Sequence, residues 1–498
     1  MKKLVLLGII CSVVLFNSCQ EEESVFVSAP EFSAGQTIDE SQILRGSIKG
    51  TMLKGKTYYF DEELTINPGD TVVMQSGVTL VSKWRTPTAN APVSPQITVN
   101  GTFISLGTKD APNLITCEAD LRSDDNRWNG YWGGLQCGYQ LPAAGGSTNI
   151  PCGDVVLKWT TLEYVGGENP YGNVFEYGNG DPRYAILFCG YAKDEASGNV
   201  SLSNLIVEDC IIRHTVDDAV RICGGAISFY RNVWEASGKL GGEGINIKSG
   251  TKGDIAYNLF VGCATNGPKV SGSGKRDIYD VNVFNNTIVN CGYRRDLAGR
   301  GGSMNIEADG RGKWYNNLIV NSRFGFRLVG VATQEGQGAP DKAVGVYDTQ
   351  NTHYGNNLYF GLFEDMKSKS KTDGGAYDER YAESVGGTGK TDQTESGKNS
   401  IYSVMDQDPQ FVGYAVNRFD SYSKYYPNVA GAQPIEMNMV KNSNFRLSGS
   451  SPAIGKGNTD ASIALRATTT IGELAATFTA PGKDIGCYQA DGTGNQLY

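Results

Sequence analysis

The sequence predicts an all-β protein that folds as a parallel β-helix, and three observations lead to this fold class. An asparagine followed by two or three apolar residues recurs at intervals of 26 to 40 residues. Such a period is typical of stacked repeats, in which each repeat forms one coil. Each repeat also carries apolar strand patterns of only three to five residues. Finally, 64 glycines among 498 residues interrupt the repeats too often for paired amphipathic helices.

The recurring asparagines predict a hydrogen-bonded ladder, because equivalent residues on neighbouring coils lie about 4.8 Å apart. The asparagines are Asn204, Asn232, Asn258, Asn286, Asn317 and Asn357. A second row of small side chains follows them by five or six positions and consists of Cys210, Cys263, Cys291 and Ser322. We interpret this second row as buried packing residues, since a free thiol packs as a small apolar group.

The N-terminus has the pattern of an export signal. Two lysines precede a 13-residue apolar run (residues 4–16), which is too short to span a bilayer. Cys19 follows as in a lipobox, and the acids Glu21–Glu23 resemble the signal that sends Bacteroidetes lipoproteins to the outer face of the outer membrane. The sequence therefore predicts a signal peptide over residues 1–18, a lipid anchor on Cys19 and a flexible tether over residues 19–45.

Composition narrows the choice of partners. The net charge is −9 and no basic stripe occurs, so nucleic acid is not expected as a partner. Two histidines nearly exclude a metal site built on imidazole. Nine cysteines remain after Cys11 is removed and Cys19 is acylated, an odd number in an oxidising compartment. The disulfide candidates are Cys137 with Cys152 and Cys189 with Cys223, and the pairing is left open.

Short motifs in a fixed order resemble a family of bacterial surface β-helix proteins common in Bacteroidetes. They lie at residues 64–72, 99–108, 132–135, 162–167 and 217–225. The resemblance covers residues 45–265 and implies a right-handed parallel β-helix of the pectin-lyase type, but no activity carries over residue by residue. Ala219 and Arg221 depart from the family pattern, which usually has a glycine and an acid there.

The domain organisation follows from changes in composition. Residues 46–360 form the β-helix, and residues 361–398, rich in Lys, Ser, Thr, Gly and Asp, form a loop or lid. Residues 399–498 are expected to provide closing coils and a cap. We expect capping coils at both ends, because an uncovered terminal coil would leave an open sheet edge.

Alternation of apolar and polar residues predicts one outward row of polar side chains. In residues 220–222, 245–248, 304–307 and 326–328 the apolar residues point inward. The outward residues are Arg221, Asn246, Lys248, Asn305, Glu307 and Arg327, with Lys269 between them. Such a cationic and amide surface suits carboxylated or sulfated sugars. The alternative is an ordinary solvated sheet face.

Two enzymatic alternatives use the same region. The spacing from Glu243 to Lys248 resembles that of alginate-lyase-type β-helix enzymes, which implies Lys248 or Lys269 as the base and Asp217, Asp218 and Glu243 as calcium ligands. Gly241 and residues 268–270 depart from that pattern. Hydrolysis by the adjacent pair Asp217 and Asp218 is the second alternative. His214 lies three residues away and is interpreted as structural.

The sequence thus predicts a lipid-anchored outer-membrane protein, exposed at the cell surface, that binds an acidic or complex polysaccharide. Whether it is an enzyme is left open, with a polysaccharide lyase as the main alternative and a glycoside hydrolase as the lesser one. The expected partners are an extracellular glycan, membrane lipid through Cys19 and a TonB-dependent outer-membrane receptor. No cofactor is required, and calcium is the alternative.

Overall fold

In the computed structural model of the protein, strands run from Ile43–Ser47 at the N-terminal end to Asn444–Leu447 near the C-terminus. The structure describes residues 31–83, 94–143, 146–170, 177–194, 196–239, 241–272, 280–295, 302–323, 325–329, 347–348, 350–362, 376–378, 403–419, 433–434, 440–465, 474–477 and 479–498.

The described chain winds as a parallel β-helix with three rows of strands, which we call face 1, face 2 and face 3. In each complete turn the chain passes through the faces in this order, as in Asn204–Glu208, Ile211–Thr215 and Val220–Ile222. Every strand of a face pairs in parallel with the equivalent strand of the next turn. The predicted all-β parallel β-helix is therefore confirmed.

Face 1 is a sheet of ten strands. In coil order they are Gly50–Met52, Thr71–Met74, Thr102–Leu106, Val155–Lys158, Asn204–Glu208, Gly225–Tyr230, Thr251–Ala256, Val281–Phe284, Gly312–Tyr315 and Thr352–Gly355.

Face 2 starts in the first part of the long strand Thr57–Ile66. Its further strands are Thr79–Ser82, Asn113–Cys117, Thr160–Val165, Ile211–Thr215, Val233–Glu235, Leu259–Val261, Thr287–Val289, Leu318–Val320, Leu358–Phe360 and Val404–Met405.

Face 3 starts at the end of the same long strand, which Ile43–Ser47 accompanies on its other edge. Its further strands are Ile97–Val99, Leu135–Cys137, Ile186–Phe188, Val220–Ile222, Ile245–Ile247, Pro268–Ser271, Met304–Glu307 and Phe326–Val329. The strand Ala376–Asp378 adds to the last of these in the antiparallel sense.

Smaller elements decorate the coil. Four further strand pairs are Tyr139–Ala143 with Gly146–Ile150, Tyr191–Lys193 with Val200–Leu202, Phe411–Gly413 with Asn444–Leu447, and Arg418–Phe419 with Gln433–Pro434. Two 3₁₀ turns span Ala119–Leu121 and Ala461–Ile463.

The interior of the coil is filled by the inward member of each alternating pair. Ile222, Ile245 and Ile247 belong to one continuous apolar core that reaches the full length of the faces. Within it Trp234 stacks on Phe260 with ring centroids 5.8 Å apart. Burial of these branched and aromatic side chains is the main favourable contribution to folding, because each one is removed from water and packs against the turns before and after it.

The asparagine ladder is confirmed from Asn232 to Asn357. Each side-chain amide donates to the Oδ1 of the next asparagine, at 2.9 Å from Asn232 to Asn258 and 3.0 Å from Asn258 to Asn286. The ladder continues at 3.0 Å to Asn317 and 3.2 Å to Asn357. Each Oδ1 also accepts the backbone N–H of the preceding ladder asparagine, so one side chain satisfies two donors in the buried turn.

The prediction that Asn204 belongs to this ladder is wrong. The residue at the equivalent place is Cys210, whose backbone N–H donates to Asn232 Oδ1 at 2.9 Å. Asn204 instead begins a face 1 strand, in register with Ala226, and its Nδ2 donates to Asp154 Oδ1 at 2.9 Å. The row of small residues therefore includes Cys263, Cys291 and Ser322 but not Cys210, and Cys291 N–H donates to Ser322 Oγ at 3.3 Å.

The cysteines are packing residues in this structure. All nine in the described part of the chain are buried thiols outside any disulfide, so neither candidate disulfide is formed. Cys189 and Cys223 nevertheless follow strand residues that pair on adjacent turns, Phe188 and Ile222. Burial raises the pKa of the Cys137 and Cys210 thiols, which keeps them protonated and unreactive at neutral pH.

The predicted division of the chain into domains stays a prediction. Ordered contacts begin before residue 46, since Thr37 forms a parallel bridge with Thr51 and the first strand spans Ile43–Ser47. The predicted signal peptide, Cys19 and the acids after it lie outside the described residues, as does most of residues 361–398. Among the described residues no helix is long and apolar enough to cross a membrane.

The C-terminal region lies against the side of the coil. We call the described part of residues 440–498 the lateral strap. It reaches from Asn356, whose Nδ2 donates to the Lys456 carbonyl at 2.9 Å, to Val73, which packs with Leu474. Its Phe445, Ile485 and Cys487 share an apolar cluster with Val233, Leu259 and Leu318, which point outward from face 2. The strap therefore covers the outer surface of face 2, and capping of the coil ends stays a prediction.

Candidate functional site

Five predicted residues lie in one register on face 3. The strand pairing aligns Arg221 with Asn246, Asn246 with Lys269, Lys269 with Asn305, and Asn305 with Arg327. We call these five residues the charged row. The residues on either side of each member point into the core, so the row lies on the outer surface, as the alternation predicts.

The charged row is nevertheless buried over most of its length. Asn246 and Arg327 are 2% exposed and Lys269 is 5% exposed, whereas the Arg221 side chain is 20% exposed. The interpretation as an ordinary solvated face is therefore wrong for this row. The side chains are held in place by one another, and only the end at Arg221 is open to solvent.

Asp218 organises this open end. Its Oδ2 accepts hydrogen bonds from Arg221 Nη2 and Asn246 Nδ2, both at 2.9 Å, and its Oδ1 accepts the Glu243 backbone N–H at 2.8 Å. Asp217 Oδ1 in turn accepts the backbone N–H of Asp218 at 2.9 Å. One carboxylate thus fixes a guanidinium, an amide and a neighbouring turn, and charge-assisted hydrogen bonds of this kind are strong.

Lys269 occupies the middle of the row between two acids. Its Nζ lies 3.1 Å from Glu307 Oε1 and 3.7 Å from Glu243 Oε1. Burial alone would raise the pKa of Glu307, but the charge of Lys269 and a 2.9 Å hydrogen bond from Asn305 Nδ2 lower it to about 2. Burial and the nearby Asp218 instead raise the pKa of Glu243. Glu307 is therefore the firm ionic partner of Lys269.

Lys248 is a cation that this network of hydrogen bonds and ion pairs does not include. It follows the strand Ile245–Ile247 and is half-buried. No hydrogen-bond or ion-pair partner of its ammonium group occurs among the residues that the structure describes. Burial lowers the pKa of Lys248 and the cations Lys269 and Arg221 lower it further, while the acids Glu307 and Glu243 act in the opposite direction. A half-buried amine with cationic neighbours and no carboxylate at bonding distance is an unfavourable arrangement unless an anion joins it.

Two polar atoms near Lys248 also lack a partner within the described chain. They are Asn246 Oδ1 and Ser271 Oγ, on residues that are 2% and 1% exposed. Ser271 pairs in register with Glu307 on the next turn. A buried oxygen that makes no hydrogen bond costs free energy, so these atoms provide an acceptor and a hydroxyl for a polar group at this place.

An aromatic pair closes the N-terminal side of the site, and no pattern in the sequence indicates it. Arg221 lies over the ring of Tyr184, with its guanidinium carbon 4.5 Å from the ring centroid. Tyr184 packs on Tyr177, and both cover Leu187, the residue that precedes Arg221 in the register of face 3. These tyrosines come from a long connection between strands, where no periodic pattern marks a side chain as part of a site.

The predicted metal ligands do not form an evident metal site. Within the described ranges no three acidic, histidine or cysteine side chains are grouped so as to hold a metal ion. Asp218 already accepts four hydrogen bonds from the protein. Calcium at Asp217, Asp218 and Glu243 stays a prediction. His214 is buried, burial depresses its pKa, and its ring lies 4.8 Å from that of Tyr164, which suits a structural role.

Comparisons with known proteins give this site no precedent: no family model, no curated protein and no solved structure matches the chain.

Proposed function

We propose that the chain binds an acidic polysaccharide at the open end of the charged row, with Lys248 as the principal contact. The observation that carries this proposal is the unpartnered, half-buried ammonium group of Lys248 beside Lys269 and Arg221. A carboxylate or sulfate placed there would supply the missing counterion. The favourable interaction is strengthened because the surrounding protein partly excludes water.

The neighbouring polar atoms favour a sugar over a simple anion. Asn246 Oδ1 and Ser271 Oγ are buried, so a sugar hydroxyl that replaces a covering side chain would be needed to bond with this acceptor and this hydroxyl. Arg221 adds a guanidinium that is held by Asp218 and Tyr184 and is still partly exposed. Because these groups are fixed before a ligand arrives, binding costs little side-chain entropy.

The buried part of the charged row, together with Glu307 beside it, has a supporting role in this proposal. Lys269, Glu307, Asn305 and Arg327 neutralise and orient one another beneath the open end. They determine where Asn246 and Lys248 lie without touching the ligand themselves. This differs from a glycan lying along the whole row, which the burial of Asn246 and Arg327 disfavours.

The N-terminal sequence supports a location for the protein at the cell surface. A lipid anchor on Cys19 and the acids after it would hold the β-helix at the outer face of the outer membrane. From there the chain would present bound glycan to a TonB-dependent receptor. Replacing Cys19 by Ala would then release the protein from the membrane fraction, and a variant that stays membrane-bound would refute the anchor.

A polysaccharide lyase is the second candidate function, and the lowered pKa of Lys248 favours it. An amine with a lowered pKa is neutral more often at physiological pH and can remove the proton next to a uronate carboxylate. Arg221 would stabilise the charge that develops on that carboxylate. Lys269 is less suited as the base because Glu307 holds it in an ion pair. Hydrolysis by Asp217 and Asp218 is disfavoured since Asp218 is fully engaged.

The test compares Lys248→Ala with Lys252→Ala, a lysine four residues later in the face 1 strand Thr251–Ala256, which begins the next turn. Binding of polygalacturonate, alginate and chondroitin sulfate oligosaccharides is measured by calorimetry on the mature protein. We expect Lys248→Ala to weaken binding at least about tenfold, the equivalent of ~1.4 kcal/mol, and Lys252→Ala to bind as the wild type does.

Absorbance of unsaturated sugar ends is followed in the same samples. A wild-type protein that produces such ends, and loses this activity in Lys248→Ala with affinity kept within a few-fold, would establish the lyase instead of the binding protein. Equal binding by both lysine variants, or no binding by the wild type, would refute the proposal.

A further inference from the structure

We infer that Arg295 is a second ligand-binding cation of this site, and that the absence of a side chain at Gly241 is what admits its guanidinium. This inference rests on the proposed function and deepens it, since two separated free cations select a ligand with more than one acidic group. Arg295 lies in the turn that leads from face 2 to face 3, and so do Asp217 and Gly241 on earlier turns of the coil.

The position of the guanidinium follows from the space around Gly241. A Cβ atom at residue 241 would lie 2.7 Å from Arg295 Nη1, 3.8 Å from Arg295 Cζ and 3.9 Å from Asp217 Oδ1. A contact of 2.7 Å is too short for a real side chain. The end of Arg295 therefore fills the place that any other residue at position 241 would take, next to the carboxyl group of Asp217.

Arg295 is not committed to an internal partner. Its backbone is held, because its carbonyl accepts a hydrogen bond from Arg323 Nη1 at 3.0 Å. Its guanidinium is half-exposed, and the described residues offer it no hydrogen-bond or ion-pair partner at bonding distance. Burial and the nearby Glu243 raise the pKa of Asp217, and the charges of Arg221 and Arg295 only partly oppose this, so Asp217 is a weak counterion that Arg295 shares with Arg221.

The adjacent arginine shows what a structural guanidinium looks like here. Arg294 is 3% exposed and donates to the Ser237 carbonyl at 2.9 Å and to the Gly238 carbonyl at 3.0 Å. It also lies over the ring of Trp128, 5.1 Å from the centroid. Two consecutive arginines thus have opposite environments: Arg294 is buried and bonded, whereas Arg295 is half-exposed next to Gly241.

The ligand that fits is a run of consecutive uronic acids. Arg295 belongs to the turn that precedes the face 3 strands, whereas Lys248 follows the face 3 strand Ile245–Ile247, so two carboxylates of one chain can each meet a separate cation. A guanidinium offers two parallel N–H donors that match the geometry of a carboxylate, which an ammonium group does not. Arg295 therefore contributes to selection of carboxylated over neutral sugars.

The experiment uses variants that reach Arg295 by two routes. Gly241→Ala displaces the guanidinium without removing a charge, and the flexible end of an arginine can move at little cost to folding. Gly449→Ala is the matched control, because a Cβ there meets nothing within 4 Å. Arg295→Gln removes the charge directly. Affinity for alginate and polygalacturonate oligosaccharides, and for the same oligosaccharides after chemical reduction of their carboxyl groups, is measured by calorimetry.

We expect Gly241→Ala and Arg295→Gln each to weaken binding of the uronic acid forms about three- to tenfold. The double variant should be no weaker than the single ones, and Gly449→Ala should match the wild type. For the carboxyl-reduced forms the variants and the wild type should bind equally weakly. A melting curve and circular dichroism confirm that each variant is folded, and Arg295→Gln carries the test if Gly241→Ala does not fold.

The outcomes separate this inference from the function beneath it. Wild-type affinity of Arg295→Gln together with lost affinity of Lys248→Ala would overturn the role of Arg295 and leave the proposed function standing. Lost affinity of Arg295→Gln with wild-type affinity of a folded Gly241→Ala would overturn the role given to Gly241. A wild-type protein that binds none of the oligosaccharides would overturn both the function and the inference.

Discussion

Face 2 and face 3 are built on the same rule but have opposite outer surfaces. Both alternate an inward and an outward residue on each turn, and both fill the same core. On face 2 the outward residues from Val233 to Leu358 are mostly apolar, and the lateral strap covers them. On face 3 the equivalent positions carry the charged row. Outward residues thus determine whether a face of the coil is closed by the chain itself or left to bind something else.

The polar contacts of the two outer surfaces also differ. The strap is attached to the coil through an apolar cluster and through hydrogen bonds around it, such as Cys487 N–H to Thr287 Oγ1 at 3.0 Å and Asn495 Nδ2 to the Tyr257 carbonyl at 3.0 Å. On face 3 the contacts are ionic and leave Lys248 over. An apolar surface needs a permanent cover, whereas a charged one with a spare cation suits reversible binding.

The largest effect is expected from breaking the cover of face 2. Ile485 is fully buried between the strap and the coil. Ile485→Asp would place a carboxylate in an apolar interface, so we expect a loss of about 3–5 kcal/mol in the free energy of unfolding. Denaturant unfolding measures this loss. Binding of an acidic oligosaccharide by the folded fraction should persist, and its disappearance in that fraction would show that the two faces are coupled.

The asparagine ladder, at the corner between face 1 and face 2, comes next. Asn286→Leu would remove the acceptor of Asn258 and the donor to Asn317, which leaves buried amide groups unpaired. At about 1–3 kcal/mol for each such group we expect a loss of ~2–4 kcal/mol. Asn204→Ala is the comparison, since that asparagine lies outside the ladder and should cost about 1 kcal/mol. Equal losses would contradict the assigned register.

The stability of the protein should depend on pH because of the ionic contacts on face 3. The folded pKa of Glu307 is about 2, below the value of 4.5 for an unperturbed glutamate. The stabilisation by its ionised form is therefore complete above about pH 4.5 and is lost as the pH falls toward 2. We expect this to amount to about 1–3 kcal/mol and to be missing from Glu307→Gln. Melting temperatures of both proteins from pH 6 to pH 2.5 provide the measurement. Parallel curves would show that Glu307 is not the partner of Lys269.

The coil and the direction of its side chains could be predicted from the sequence because both follow from local periods. A period of two assigns Arg221 and Ile222 to opposite sides of a strand, and the long repeat indicates that turns are stacked. The order of the strands then places Arg221, Asn246 and Asn305 in one row. No knowledge of distant segments is needed for any of these steps.

What covers each face could not be predicted in the same way. Alternation shows that Asn246 points outward, but not that it is 2% exposed. The strap consists of irregular segments, whose docking depends on contacts more than one hundred residues apart in sequence, such as Asn458 N–H to Asn316 Oδ1 at 2.7 Å. The register of Asn204 was missed because similar apolar triplets begin strands on two different faces. Arg295 was missed because its role depends on an empty space at Gly241.

Hydrogen exchange with and without an oligouronate shows whether the ligand binds at face 3, because it reports on face 2 and face 3 in one experiment. We expect slower exchange in the turns at residues 215–219 and 241–244 and around Lys248 when an alginate or polygalacturonate oligosaccharide is bound. The lateral strap should show no change. Protection that appears in the strap while these turns stay unchanged would contradict the account, since it would move the binding surface from face 3 to face 2.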